Sequence, residues 1–185
     1  MKKLLLKFCL ILFVFVPFIV NGLENPNLYS EYYAIYDLTD DKMLSSLNAD
    51  VETEVASLTK IMTVMIAIEN VEDLDETVTI TNSILNTVSW DASVAGLEAG
   101  DVVTYRDLLY AAMLPSGADA TNALAILISG SISDYVDLMN DKAEALGLNN
   151  THYVNVTGLD ETGHYSTASD VIDLLKHSLQ NELFK

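Results

Sequence analysis

Apolar and polar positions follow several different periods along this chain, and each period predicts an element. Residues 32–38 and 42–44 are apolar-rich runs separated by Thr39, Asp40 and Asp41, a polar turn, which predicts a β-hairpin. From 57 to 69 the chain is apolar almost all round, through Leu58, Ile61, Met62, Val64, Met65, Ile66, Ala67 and Ile68. A helix without a polar stripe belongs in the middle of a domain. Val78, Thr79 and Ile80 predict a brief strand, and residues 96–100 a glycine-bounded loop. Thr104 followed by Asp107 resembles a capping box that opens a helix through 113, which Pro115 and Gly117 terminate. A second helix is predicted over 119–128, ended by Gly130. Val136, Met139, Ala143 and Leu146 then recur at three- and four-residue spacing, with Gly147 where a helix C-terminal glycine belongs. Residues 151–154 predict a short strand and 157–163 a loop, and Thr167 with Asp170 predicts another capped helix start. Helices dominate the second half. An α/β sheet begun by the hairpin would need more strands than follow, so the chain reads as truncated.

The first 22 residues break from this pattern. Lys2, Lys3 and Lys7 precede an apolar run over 8–20 and a small-residue ending at Gly22, the layout of a secretory signal peptide. The apolar run is short for a membrane span of ~20 residues. Residues 23–31 read as a short tether and 32–185 as one domain, itself partial, because half the chain is apolar and no internal repeat is present. Cleavage of the leader removes three of nine basic residues and no acid, which moves the formal charge from -18 to about -21. A chain this acidic, with no basic stripe, is not built to neutralise phosphates, which argues against nucleic acid as a partner. The sole cysteine, Cys9, lies in the leader, so no disulfide or cysteine-based zinc site is expected after cleavage. His152, His164 and His177 show no metal-ligand spacing, and neither a metal nor another cofactor is expected.

Candidate chemistry starts at Ser57-Leu58-Thr59-Lys60, an S-x-x-K pattern. On a helix this spacing sets hydroxyl and amine on one face, with Cβ atoms about 5 to 6 Å apart. A serine hydroxyl becomes a useful nucleophile only when a neighbour takes its proton, and a lysine can do so only with a depressed pKa. The apolar helix behind Lys60 would supply that desolvation. The helix start would in turn offer unpaired N–H groups to an oxyanion. By itself the pattern also fits a serine N-cap followed by a solvent-facing lysine; the near absence of other polar residues on this helix favours chemistry.

The run Ala56-Ser57-Leu58-Thr59-Lys60-Ile61-Met62-Thr63 resembles the first motif of the low-molecular-mass penicillin-binding proteins, the D-alanyl-D-alanine carboxypeptidases. Met113-Leu114-Pro115-Ser116-Gly117 resembles the approach to the family's second motif, and 155–160 with 163–168 its later loop and helix entry, so the resemblance covers roughly 32–175. It implies an α/β (α+β) fold of the penicillin-binding/serine β-lactamase type, a helical region packed on an antiparallel sheet, with the C-terminal strands missing. It also implies Ser57 as nucleophile, Lys60 as base and Ser116 in the proton network. The reaction implied is release of the terminal D-Ala from peptidoglycan stem peptides by an exported enzyme on the outer side of the cytoplasmic membrane or in the cell wall. β-Lactams would acylate the same serine, and a missing C-terminal segment could supply membrane association. Two departures stand against this. Ala118 occupies the position where the family usually has asparagine, for which Asn122 is a weak stand-in, and the Lys-Thr-Gly motif does not occur. Two rival readings follow: a non-catalytic fragment or pseudoenzyme that binds cell-wall peptides, and a serine β-lactamase. His164 is expected to order its loop rather than act as a base.

Overall fold

The computed structural model describes residues 28–185; the leader, with Cys9, and the first part of the tether lie outside the described residues. The hairpin forms from β1 (Tyr33–Asp37) and β2 (Lys42–Leu47), antiparallel, with a register shift between Ile35 and Tyr36. Its turn is built by Asp37, whose Oδ1 accepts from the N–H groups of Thr39 and Asp40 at 2.8 and 3.2 Å, an Asx turn. Lys176 pins the hairpin to the last helix: its ammonium lies 2.8 Å from Asp41 Oδ1 and 4.5 Å from the centre of the Tyr36 ring. Such an exposed contact orients the ribbon more than it stabilises the fold.

A single 3-10 turn, Ala56–Leu58, leads into α1 (Thr59–Asn70), and every residue of α1 from Thr59 to Ile68 is buried. The prediction of a central helix is borne out, and the reason is visible in the packing. One side of α1, with Val64, Ala67 and Ile68, joins Leu108, Leu109, Ala112, Ala123 and Leu124. The opposite side, with Ile61, Met62 and Ile66, joins Tyr135, Met139, Ala143, Val156 and Leu174. The helix therefore divides the core in two.

The partners of α1 follow in order. A second antiparallel ribbon, β3 (Thr77–Thr79) with β4 (Val102–Thr104), flanks the short α2 (Asn82–Leu85). Then come α3 (Tyr105–Met113), α4 (Ala118–Ser129), α5 (Ile132–Leu146) and α6 (Ala168–Ser178). The Thr104–Asp107 capping box forms in both directions. Gly130 and Gly147 end α4 and α5 in the left-handed conformation expected of a helix C-terminal glycine. Thr167 caps α6 through the Asp170 N–H, but Asp170 does not complete a box: its Oδ2 instead accepts from Asn150 N and Thr151 Oγ1. That diversion ties the 149–151 turn to α6.

The short strand expected at 151–154 is reduced to an isolated bridge between His152 and Tyr165, and Thr53 bridges Ser166 in the same way. Residues 164–166 thus run between two neighbouring segments, which carries His164 beneath the start of α1. The described strands make two two-stranded antiparallel ribbons.

Candidate active site

Ser57 sits exposed in the 3-10 turn, immediately after Ala56, whose φ of +46° is left-handed. Lys60 lies one turn on and is 4% exposed. Its Nζ is 3.2 Å from Ser57 Oγ and donates to the Thr157 carbonyl at 2.5 Å. Ser116 approaches from the loop between α3 and α4, and its Oγ donates to Ser57 Oγ at 2.8 Å. Ser116 also holds a left-handed backbone, with φ +62°, uncommon for a residue other than glycine. Strain of this kind persists only where surrounding structure enforces it, and it concentrates at functional sites. Lys60, three residues on, and Ser116, 59 residues on, therefore converge on the Ser57 oxygen.

The electrostatics suit proton transfer. Burial holds the Lys60 ammonium below the ordinary lysine value. Among the described residues no carboxylate pairs with it: its partners are a hydroxyl and a carbonyl, both neutral. A carboxylate partner would hold the proton on the amine. Once deprotonated, Nζ can accept the Ser57 proton while Ser116 still donates to Ser57 Oγ.

Two supports hold Lys60 and the helix start in place. Asn155 Oδ1 accepts from Thr157 N, Thr157 Oγ1 and Gly158 N at 3.2, 3.1 and 2.8 Å, a tight turn that aims the Thr157 carbonyl at Lys60. Gly158 has φ +80°, and a Cβ there would stand 1.9 Å from the Ala56 carbonyl oxygen. Gly158→Ala is thus expected to push this turn away from Ala56 and Lys60, costing on the order of 2–3 kcal/mol and slowing any reaction at Ser57. Urea unfolding and the rate of Ser57 acylation check the two effects separately.

His164 is the second support. Val154 N donates to its Nδ1 at 3.2 Å, and its Nε2 meets Thr59 Oγ1 at 2.7 Å. Since a backbone N–H can only donate, Nδ1 must accept, so the ring is neutral with its proton on Nε2. The expected loop-ordering role matches this geometry. Burial lowers the His164 pKa, opposed by Glu161 and Asp160, with His152 adding to the lowering. The unfolded chain therefore takes up this proton first as pH falls. The stability that neutral His164 contributes is complete above about pH 6.5 and is lost as pH drops toward the folded value. Denaturation of the wild type and of His164→Gln is expected to show a gap that narrows from pH 7.5 to pH 5.

Ser57, Lys60 and Ala118 line a cavity of about 170 Å³ with Ala56, Asp91, Ala92, Ser93, Thr157, Gly158 and Leu159. The candidate stand-in Asn122 is not among them. It is neither solvent-facing nor in the site: it is 4% exposed, and its Nδ2 donates to Thr87 O and Thr87 Oγ1. Four residues of α4 separate it from Ala118, about 6 Å further along the axis. Residues missed in the sequence are the Thr157 carbonyl, which carries no side-chain signal, and the 91–93 wall. A larger open depression, about 880 Å³, is lined by Glu52, Glu54, Asp160 and Glu161 among others and holds neither Ser57 nor Lys60.

A serine, a lysine and a second serine around one hydroxyl, on a helix buried at the centre of a mixed fold, invite comparison with known proteins. The family model described as D-alanyl-D-alanine carboxypeptidase matches residues 19–185. The chain belongs to the D-alanyl-D-alanine carboxypeptidase family. It is 39% identical over 145 residues to D-alanyl-D-alanine carboxypeptidase DacF of Bacillus subtilis, covering 76% of this chain and 36% of that protein. It is also 39% identical to DacA of Escherichia coli over 153 residues, 79% of this chain and 38% of that one. The Streptomyces K15 DD-transpeptidase superposes with a TM-score of 0.80 at 32% identity, over 87% of this chain and 64% of the other. Penicillin-binding protein 6B of Escherichia coli does so at 0.80 and 29%, over 89% and 54%. The α/β fold expected for a carboxypeptidase of this family is therefore established, and the chain spans less than half the length of the curated carboxypeptidases DacF and DacA.

Proposed function

We propose that this chain carries the nucleophile half of a serine-type D-Ala-D-Ala carboxypeptidase acting on peptidoglycan stem peptides. The observation that carries the reading is the convergence of Lys60 Nζ and Ser116 Oγ on Ser57 Oγ, at 3.2 and 2.8 Å, with Lys60 itself buried and without a carboxylate partner among the described residues. Neutral Lys60 takes the Ser57 proton as Oγ attacks the carbonyl of the penultimate D-Ala. The developing oxyanion accepts from the Ser57 N–H at the start of the helical segment. Ser116 relays the proton from Lys60 to the departing amine, and terminal D-Ala leaves. Water then attacks the ester, with Lys60 again as base, to free Ser57. β-Lactams acylate the same oxygen. The leader-like first 22 residues support export to the cell wall, and no helix among the described residues is long and apolar enough to cross a membrane.

Ala118 favours a second reading, in which stem peptides bind without being cleaved. Its methyl lines the cavity and offers no hydrogen bond to a substrate amide. Both readings are tested by incubating the full protein with a D-Ala-D-Ala-terminated peptide and assaying free D-alanine. Stoichiometric release above a Ser57→Ala control supports the carboxypeptidase, whereas saturable binding with no release supports the second reading and contradicts the first.

A further inference from the structure

The start of α4 holds a buried carboxylate that the proton-transfer machinery does not use. Asp119 is 2% exposed and has no ion-pair partner among the described residues. Its Oδ1 accepts from Ala95 N at 2.8 Å and Ala120 N at 2.9 Å, and its Oδ2 from Gly96 N at 2.9 Å and Leu97 N at 3.0 Å. Four backbone N–H groups and the positive end of α4 thus replace the water that this charge gave up. Three of the four donors belong to one loop segment, 95–97.

That segment continues directly into the wall of the nucleophile cavity. Ala118 N donates to Ser93 O at 2.8 Å, and a Cβ on Gly117 would stand 2.9 Å from Ala95 Cβ and 2.7 Å from Asp119 Oδ1. The loop is therefore seated tightly against the Ser116-Gly117-Ala118 turn, and glycine is what allows the approach. Its own anchoring is slight. Trp90 is 94% exposed and Val94 51% exposed, so apolar burial does not hold the outer part of the loop.

We propose that Asp119 is a positioning residue for the reaction: by clamping the N–H groups of 95–97 it seats Asp91, Ala92 and Ser93 as the wall that closes the cavity around Ser57 and Lys60. This rests on the reading of Ser57 and Lys60 as nucleophile and base. Loss of the clamp lets the wall retreat and admits water to Lys60. Burial is what lowers the Lys60 pKa, so hydration raises it. Asp91 is the charged group that shares this cavity with Lys60, and its withdrawal acts in the opposite direction, but Asp91 is exposed and water screens its field at Lys60.

The test is the rate of Ser57 acylation by a fluorescent penicillin, measured across pH per folded molecule, in the full wild-type protein and in Asp119→Asn. An asparagine there keeps one acceptor oxygen and turns an NH2 donor onto N–H donors. The rate is expected to fall about 10- to 100-fold, with the ascending limb of the pH profile displaced to higher pH. A merely structural role would lower the melting temperature and leave the rate per folded molecule and the limb in place, and that result would overturn the proposal. A wild type that is not acylated would instead refute the underlying reading. Should the variant fail to fold, amide hydrogen exchange in the wild type decides: protection of the N–H groups of 95–97, well above that at Trp90 and Asp91, supports the clamp, and free-loop exchange there overturns it.

Discussion

Ser57→Ala is expected to abolish formation of a penicillin adduct and release of D-alanine, with no detectable covalent product at any pH. The effect is this large because Ser57 Oγ is the atom on which both neighbouring donors converge, and methyl has no lone pair to attack with. Stability should change by no more than about 0.5 kcal/mol, since Ser57 is exposed and its loss leaves Lys60 bonded to Thr157 O. Loss of chemistry in a normally folded protein is thus the expected signature. Intact-protein mass spectrometry after exposure to penicillin, alongside urea unfolding, reads both. An adduct of undiminished yield in Ser57→Ala would place the nucleophile elsewhere.

Lys60→Met is expected to slow acylation of Ser57 by about 10²- to 10⁴-fold. Methionine fills a comparable volume in the buried site but cannot take a proton. Two opposing terms set its effect on stability. Wherever Lys60 is protonated, a buried cation with no counter-ion among the described residues is removed, which favours the fold, while the Thr157 carbonyl loses a donor, which disfavours it. In the wild type the rate should rise with pH through an ascending limb that lies below the ordinary lysine value of 10.5, because burial shifts Lys60 in that direction. Lys60→Met should lose that limb. A stopped-flow pH series measures both, and an unchanged limb in the variant would assign the titration to another group.

Much of the scaffold was legible because its signals are local. The apolar wrap of 57–69 announced a central helix, and α1 is buried from Thr59 to Ile68. Thr104 with Asp107, Gly130 and Gly147 marked helix ends that the structure keeps. The strand expected at 151–154 was lost because a short β-prone run needs a continuous partner, and 165 supplies a single bridge to His152.

The site was legible in its side chains and hidden in its supports. Ser57 and Lys60 are neighbours by helical spacing, and Ser116 was reached through motif resemblance. Thr157 contributes a backbone carbonyl, which every residue has, so no residue type could signal it. Asp119 entered only as the first position of a predicted helix, because its partners are the backbone N–H groups of 95–97, which no residue type marks. Asn122 drew attention by residue type, but it lies about a helical turn beyond Ala118 and its Nδ2 donates to Thr87. Contacts between segments distant in sequence decided each of these.

The central claim is that Ser57, activated by Lys60, is the nucleophile. The most direct test is to react the full protein with a labelled penicillin, digest it, and locate the label by tandem mass spectrometry. One label per molecule on Ser57, absent from Ser57→Ala and formed at least about 100-fold more slowly in Lys60→Met, is the predicted result. Label on any other residue, or none on a folded wild type, would contradict it.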